Sequence, residues 1–162
     1  MGLLSAFTDG SADNLTRLTG GYAFCVHHRV KQYTDSGSLK DVSSNAAELI
    51  AIIKCVEFVI RHNLLEGYDG LEINSDSSYC VKGATLWMKG WKERGWQKKP
   101  LGRMPASNNL DIANLELWQE LDRLMQKVPI KFTHVRGHQG QESNELCDKL
   151  AKSAAKKGAI SV

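Results

Sequence analysis

A carboxylate stands on the apolar face of the longest regular segment of this chain, and that placement limits what the sequence can become. Ser43–His62 carries helical periodicity, with Lys54, Glu57 and Arg61 forming its solvent stripe. At about 100° per residue, Glu48 lies roughly 180° from Glu57 and within about 40° of Ile52, Cys55 and Val59. Its side chain is therefore expected to point inward. An uncompensated carboxylate there costs several kcal/mol or takes up a proton. Two readings stay open. Asn45-x-x-Glu48 resembles a capping box that would turn the carboxylate onto backbone, or a cation sits beside it.

The rest of the chain supplies strands for that helix to cover. Leu3–Thr8 reads as a strand running into an Asp9-Gly10 turn, Ser11–Gly21 as a loop, and Tyr22–His28 and Val30–Tyr33 as antiparallel strands. Gly70–Ser75 alternates and ends at Asp76; Ile130–Val135 alternates again. Helices are expected over Asn114–Lys127 and Asn144–Lys157, with loops at Pro100–Asn109 and Gly137–Ser143. The order β-β-β-α-β-α-α-β-α predicts an α/β fold, a mixed sheet with helices on its faces. At 162 residues, with no repeat or low-complexity linker, one domain over 1–162 is expected. The longest apolar run, Leu49–Ile53, is far short of the ~18 residues of a membrane span. No basic-then-apolar leader opens the chain, and Cys25, Cys55, Cys80 and Cys147 contain no C-x-x-C. A soluble cytoplasmic protein with buried, unpaired thiols is the expectation.

Three further acids stand at strand or helix ends. Asp9 and Asp76 each close a strand pattern, and Asp148 falls early in the last helix. Singly, each has a plain structural role: Asp9 in a turn, Asp76 as a helix cap, Asp148 at a favourable helix dipole. As a set with Glu48 they can converge on one sheet edge. The donors are all oxygen with no histidine–cysteine set, which points to a hard ion, Mg²⁺ or Mn²⁺. Two such ions ~3.5–4 Å apart clamp the attacking and leaving oxygens of phosphoryl transfer. His134 and His138 are four apart, but the strand pattern and Gly137 argue against a helical zinc pair. No nucleophile elbow, Walker A or dinucleotide-binding glycine pattern occurs.

Charge is concentrated in one place. Lys82–Arg103 holds seven bases against Glu93 alone, a net +6 in a chain of net +3, so the remainder is acidic at −3. Trp87, Trp91 and Trp96 interleave with Lys89, Lys92 and Arg94 in that stretch. The tryptophans can form a small aromatic core, a cationic grip on a polyanion, or both at once.

These residues resemble a known family, the type 1 ribonucleases H, which cut RNA in RNA–DNA hybrids. The resemblance runs from Phe7 to about Lys157. It rests on Phe7-Thr8-Asp9-Gly10-Ser11, Asn45-x-x-Glu48-Leu49, Ser75-Asp76-Ser77-x-Tyr79, and Val135-Arg136-Gly137-His138 followed by Asn144-Glu145-x-Cys147-Asp148-x-Leu150-Ala151. It implies a five-stranded mixed sheet, three strands antiparallel and two parallel to the first. Asp9, Glu48, Asp76 and Asp148 would then bind two Mg²⁺ ions, with Mn²⁺ as the alternative, and His138 would assist proton transfer or product release. The Lys82–Arg103 segment resembles the basic handle that grips the DNA strand, through Trp87, Lys89, Trp91, Lys92, Arg94 and Trp96. Gly10, Ser11, Asn14, Ser43, Ser44, Asn45 and Ser78 match substrate-contacting positions.

The sequence departs from the family pattern in places. Ala12–Thr19 lacks glycine and proline; Ser44, Ser43 and Ser78 replace a common asparagine, threonine and glutamine or asparagine; Lys98–Asn114 is longer. A monomer acting on RNA–DNA hybrid, with 5′-phosphate and 3′-hydroxyl products and no separate hybrid-binding domain, is the implied function. The rivals are another nuclease of the same superfamily, or a hybrid-binding module without catalysis.

Overall fold

The computed structural model describes residues 2–13, 19–99, 110–136 and 142–160. Five strands form one sheet in the order β3-β2-β1-β4-β5: β1 (Leu3–Ala12), β2 (Gly20–His28), β3 (Lys31–Leu39), β4 (Gly70–Ser75) and β5 (Ile130–His134). β1, β2 and β3 are antiparallel neighbours, while β4 and β5 run parallel to β1. The mixed, helix-flanked sheet is the one expected.

Alternation along β1 and β2 divides the interior in two. Leu4, Ala6, Phe24 and Val26 meet Leu49, Ile52, Val56 and Val59 of α1 (Ser44–Arg61), together with Leu71 and Ile73 of β4. On the opposite face, Ala23 and Cys25 receive Cys147 and Ala151 of α5 (Glu142–Ile160). Small residues let α5 lie close. A Cβ on Gly21 would run into main-chain atoms of Ala151 and Ala155. All four cysteines are buried free thiols.

Two boundaries differ from the sequence reading. β1 continues through Asp9-Gly10 to Ala12 instead of turning, because β2 pairs with it as far as Ala12↔Gly20. The residues expected to form a loop over Ser11–Gly21 are therefore strand at both ends. β3 reaches Leu39, well beyond Tyr33; its polar second half is held by pairing with β2, which an apolar pattern does not reveal.

Ser78–Glu93, which carries the first part of the basic segment, is a continuous helical run. It comprises α2 (Ser78–Lys82), a π-helical turn over Gly83–Trp87, and α3 (Met88–Glu93). Gly83 lies against the Trp118 ring, where no Cβ would fit. Trp118 belongs to α4 (Leu115–Lys127), which packs beneath the run.

Candidate active site

Parallel strands leave their carboxyl ends on one edge, and chain order puts acids there. Asp9 sits inside β1, opposite Ala23, one residue past the Thr8↔Ser75 pair. Asp76 follows β4 directly. Ser77, not Asp76, caps α2: its hydroxyl accepts from Cys80 N–H at 3.1 Å. Ser43 caps α1, accepting from Ala46 N–H at 3.1 Å, so the Asn45–Glu48 capping box does not form. Ser43 takes the cap because its extended backbone is the last before the helix. Glu48, five residues on, is turned inward to β1.

Glu48 meets Gly10 there. The Gly10 N–H donates to Glu48 Oε1 at 2.6 Å, and also to Asp9 Oδ1 at 3.0 Å. Oε2 of Glu48 is buried and has no hydrogen-bond partner. One carboxylate oxygen from each of Asp9, Glu48 and Asp76 can be chosen so that all lie within 4.8 Å of one another. Such crowding strains ionisation. Burial first, then the Asp9 carboxylate, pushes Glu48 up to about 11. Burial also raises Asp9 to about 6; Asp76 and Asp148 add to the rise, while Glu48 and the Gly10 N–H offset part of it.

An all-oxygen donor set with one orphaned buried oxygen suits a hard divalent cation, which would allow both buried acids to ionise. Asp148 stands outside the group of three. Its Oδ2 pairs with Lys152 Nζ at 3.0 Å, one helical turn along α5. The sequence reading missed that partner, although the i,i+4 spacing of Asp148 and Lys152 was a visible signal. His138 and Asn14 lie outside the described residues. Gly10 and Ser11 are half-buried at the end of β1; Ser43 and Ser44 are half-buried, and Asn45 exposed, at the start of α1. Ser78 is exposed at the start of α2.

The handle divides by exposure. Trp91 is buried against Trp118, ring centroids 5.4 Å apart, and Trp87 packs on Trp91 at 5.9 Å while remaining 37% exposed. Trp96 is half-buried with φ 63° and adjoins the same core. The aromatic mini-core is thus real and includes Trp91. Lys89 is exposed and Lys92 is tied to Asp122 at 2.8 Å. Arg94 donates from Nε to Gln97 O. A groove of about 570 Å³ runs beside Trp87 and Trp91, rimmed by Arg94, Lys98 and Lys99.

Known proteins resemble this chain in sequence and fold. The RNase H family model matches residues 3–156. The ribonuclease H of Rhodopirellula baltica is 37% identical over 150 residues, which cover 91% of this chain and 87% of that protein. Among solved structures, LC9-RNase H1, a type 1 RNase H with the type 2 active-site motif, is similar with TM-score 0.77 and 25% identity. That likeness covers 98% of this chain and 74% of LC9-RNase H1. LC11-RNase H1, solved in complex with an RNA/DNA hybrid, shares the fold with TM-score 0.64 and 17% identity over 96% of this chain and 99% of its own. Carboxylates gathered at the carboxyl edge of a β3-β2-β1-β4-β5 sheet, and a family match spanning nearly every element that builds that edge, place this chain in the ribonuclease H family.

Proposed function

We propose that this chain is an endonuclease that hydrolyses the RNA strand of RNA–DNA hybrids, leaving 5′-phosphate and 3′-hydroxyl ends. The observation that carries the reading is the gathering of carboxylate oxygens from Asp9, Glu48 and Asp76, with Glu48 Oε2 buried and unpartnered. Two Mg²⁺ ions, with Mn²⁺ as substitute, are the cofactors such oxygens would hold. Held there by Asp9, Glu48 and Asp76, they would supply Lewis acidity to activate a water and to stabilise the departing 3′ oxygen.

The protein's own groups do the remaining work. Asp148, released from Lys152, supplies a fourth carboxylate. His138 assists proton transfer or product release. Gly10, Ser11, Asn14, Ser43, Ser44, Asn45 and Ser78 border the hybrid, and ribose hydroxyls distinguish its RNA strand in the shallow minor groove. The DNA strand lies toward Trp87, Lys89, Trp91, Lys92, Arg94 and Trp96, where Lys89 and Arg94 meet phosphates. Phosphate and sugar contacts make cutting largely independent of sequence. A monomer in the cytoplasm is part of the same reading; the four buried free thiols favour a reducing compartment. Among the described residues no helix is long and apolar enough to cross a membrane.

Digestion of end-labelled RNA–DNA hybrid, duplex RNA and duplex DNA, each with Mg²⁺ or Mn²⁺, tests the proposal. Metal-dependent cutting of the RNA in the hybrid alone is expected. Cleavage of duplex RNA at equal rate, or binding of hybrid without cleavage, overturns it.

A further inference from the structure

Acids and bases are segregated along α5. Glu142, Glu145 and Asp148 fall in its first two turns, and Lys149, Lys152, Lys156 and Lys157 follow. The helix dipole favours cations only in the last turn, so it does not account for Lys152. Spacing of four sets Asp148, Lys152 and Lys156 in one row along the helix. Both of these lysines are exposed, while Ala151 and Ala154 turn inward to the sheet.

The row borders a cleft of about 280 Å³, with Ser11, Asp13 and Thr19 on one side and Lys152, Ala155 and Lys156 on the other. The Asp13 N–H donates to Thr19 O at 3.1 Å and ties the two strand ends together. Lys152 joins the cleft to the acidic edge, since its Nζ holds Asp148 Oδ2 at 3.0 Å. Among the described residues Lys156 has no ion-pair partner. Two ammonium groups outweigh the Asp13 carboxylate, and the hydroxyls of Ser11 and Thr19 add neutral donors. The cleft suits an anion.

Its position says which anion. Asp9 and Ser11 are alternate residues of β1, so they share a face and stand about 7 Å apart along the strand. That separation is close to one nucleotide step of a sugar–phosphate backbone. With one phosphate at the carboxylates, its neighbour on the same strand falls at the cleft. The handle departs from the end of β4, whereas α5 packs on β1 and β2 and accepts the Ser38 hydroxyl of β3 at Ala154 O. The two cationic surfaces therefore flank the carboxylates from different sides.

We propose that Lys156, with the hydroxyls of Ser11 and Thr19, forms a phosphate subsite for the RNA strand, taking the phosphate next to the one that is cut. The inference rests on the hybrid-cleaving function proposed above. It adds a grip on the strand that is cut, where the handle grips the other strand.

The test neutralises one phosphate at a time, as a methylphosphonate, in either strand of a hybrid short enough to be cut at a single linkage. In the RNA each neutral linkage follows a 2′-O-methyl nucleotide, and its reference carries that nucleotide with an ordinary phosphate. Binding is read by fluorescence anisotropy without metal. Mg²⁺-dependent cleavage of the unmodified hybrid checks the underlying function separately. Neutralising the RNA phosphate next to the cut should weaken binding by the unaltered protein about fourfold, the effect of one partly exposed ion pair. Lys156→Ala should bind the reference about fourfold more weakly and lose that one penalty, while the others persist. Asp13→Asn should bind the reference more tightly and show a larger penalty at the same phosphate. A penalty that survives in Lys156→Ala, or that falls on the DNA strand instead, overturns the proposal. So does an even reduction of every penalty in Lys156→Ala, since the lysine would then act only through the overall field.

Discussion

The main-chain N–H of Gly10 donates to Oε1 of Glu48 across 2.6 Å, joining residues 38 apart in the chain. That bond decides how the buried carboxylate is used. One oxygen is fixed by backbone, and the other, Oε2, is left buried and unpartnered in a carboxylate that gathers with Asp9 and Asp76. Glycine is needed for the approach, since a Cβ at position 10 would overlap the main chain of Ala47 and Glu48.

Gly10→Ala should therefore push α1 away from β1. A destabilisation of about 1–3 kcal/mol, the usual cost of overpacking, is expected in urea denaturation. Cleavage should fall as well, because Glu48 loses its anchor. An unchanged midpoint would show that the helix can retreat freely.

Burial and the neighbouring acids hold Glu48 up at about 11 and Asp9 at about 6, above their ordinary values of 4.5 and 3.8. Between those limits the folded protein keeps protons that the unfolded chain releases, so stability falls as pH rises. Without metal, the melting temperature should decline from about pH 4 upward through neutrality. Glu48→Gln keeps the neutral form permanently and should flatten the decline, giving a higher melting temperature than the unaltered protein at alkaline pH. Parallel melting curves against pH would contradict this account of Glu48.

Asp9→Asn and Asp76→Asn each remove a charge from the group of three. Each should reduce hybrid cleavage at saturating Mg²⁺ by about a thousandfold or more, ~4 kcal/mol of barrier. Circular dichroism should show the fold intact. Nicking at near-normal rates by either purified variant would place the chemistry elsewhere.

Lys152 holds Asp148 at 3.0 Å and so competes with any cation for its carboxylate. With that competition removed, Lys152→Gln should lower the Mg²⁺ concentration for half-maximal cleavage, by roughly threefold if about 0.6 kcal/mol of a half-exposed pair is released. A higher requirement would mean that the lysine orients Asp148 for the metal.

The handle's lysines should not contribute equally. Lys89 is exposed, whereas Lys92 is neutralised by Asp122 at 2.8 Å. Replacing Lys89 and Arg94 by alanine should reduce the slope of log affinity for hybrid against log salt by about 2, close to 0.9 per phosphate contact. Lys92→Ala should change it much less. Equal slopes for all variants would remove the handle from the binding surface.

Local pattern alone determined the α/β architecture, the long helix with Glu48 on its inner face, β4 ending just before Asp76, and the basic segment with its tryptophans. Helix and strand periodicities report which side of an element is buried, and charge runs report where a polyanion can be met. What Glu48 meets was decided only in three dimensions. The capping-box pattern at Asn45 gave way to Ser43 as cap, and the carboxylate found Gly10 on another element. The Asp9-Gly10 pair, a turn signal by itself, became strand because β2 supplied hydrogen bonds up to Gly20. The contact of His134 with the main-chain oxygen of Asp76 likewise required β5 to pair with β4. Partners distant in sequence compete with local preferences worth about 1 kcal/mol, and once a sheet and its covering helices close over a polar group the distant partner prevails.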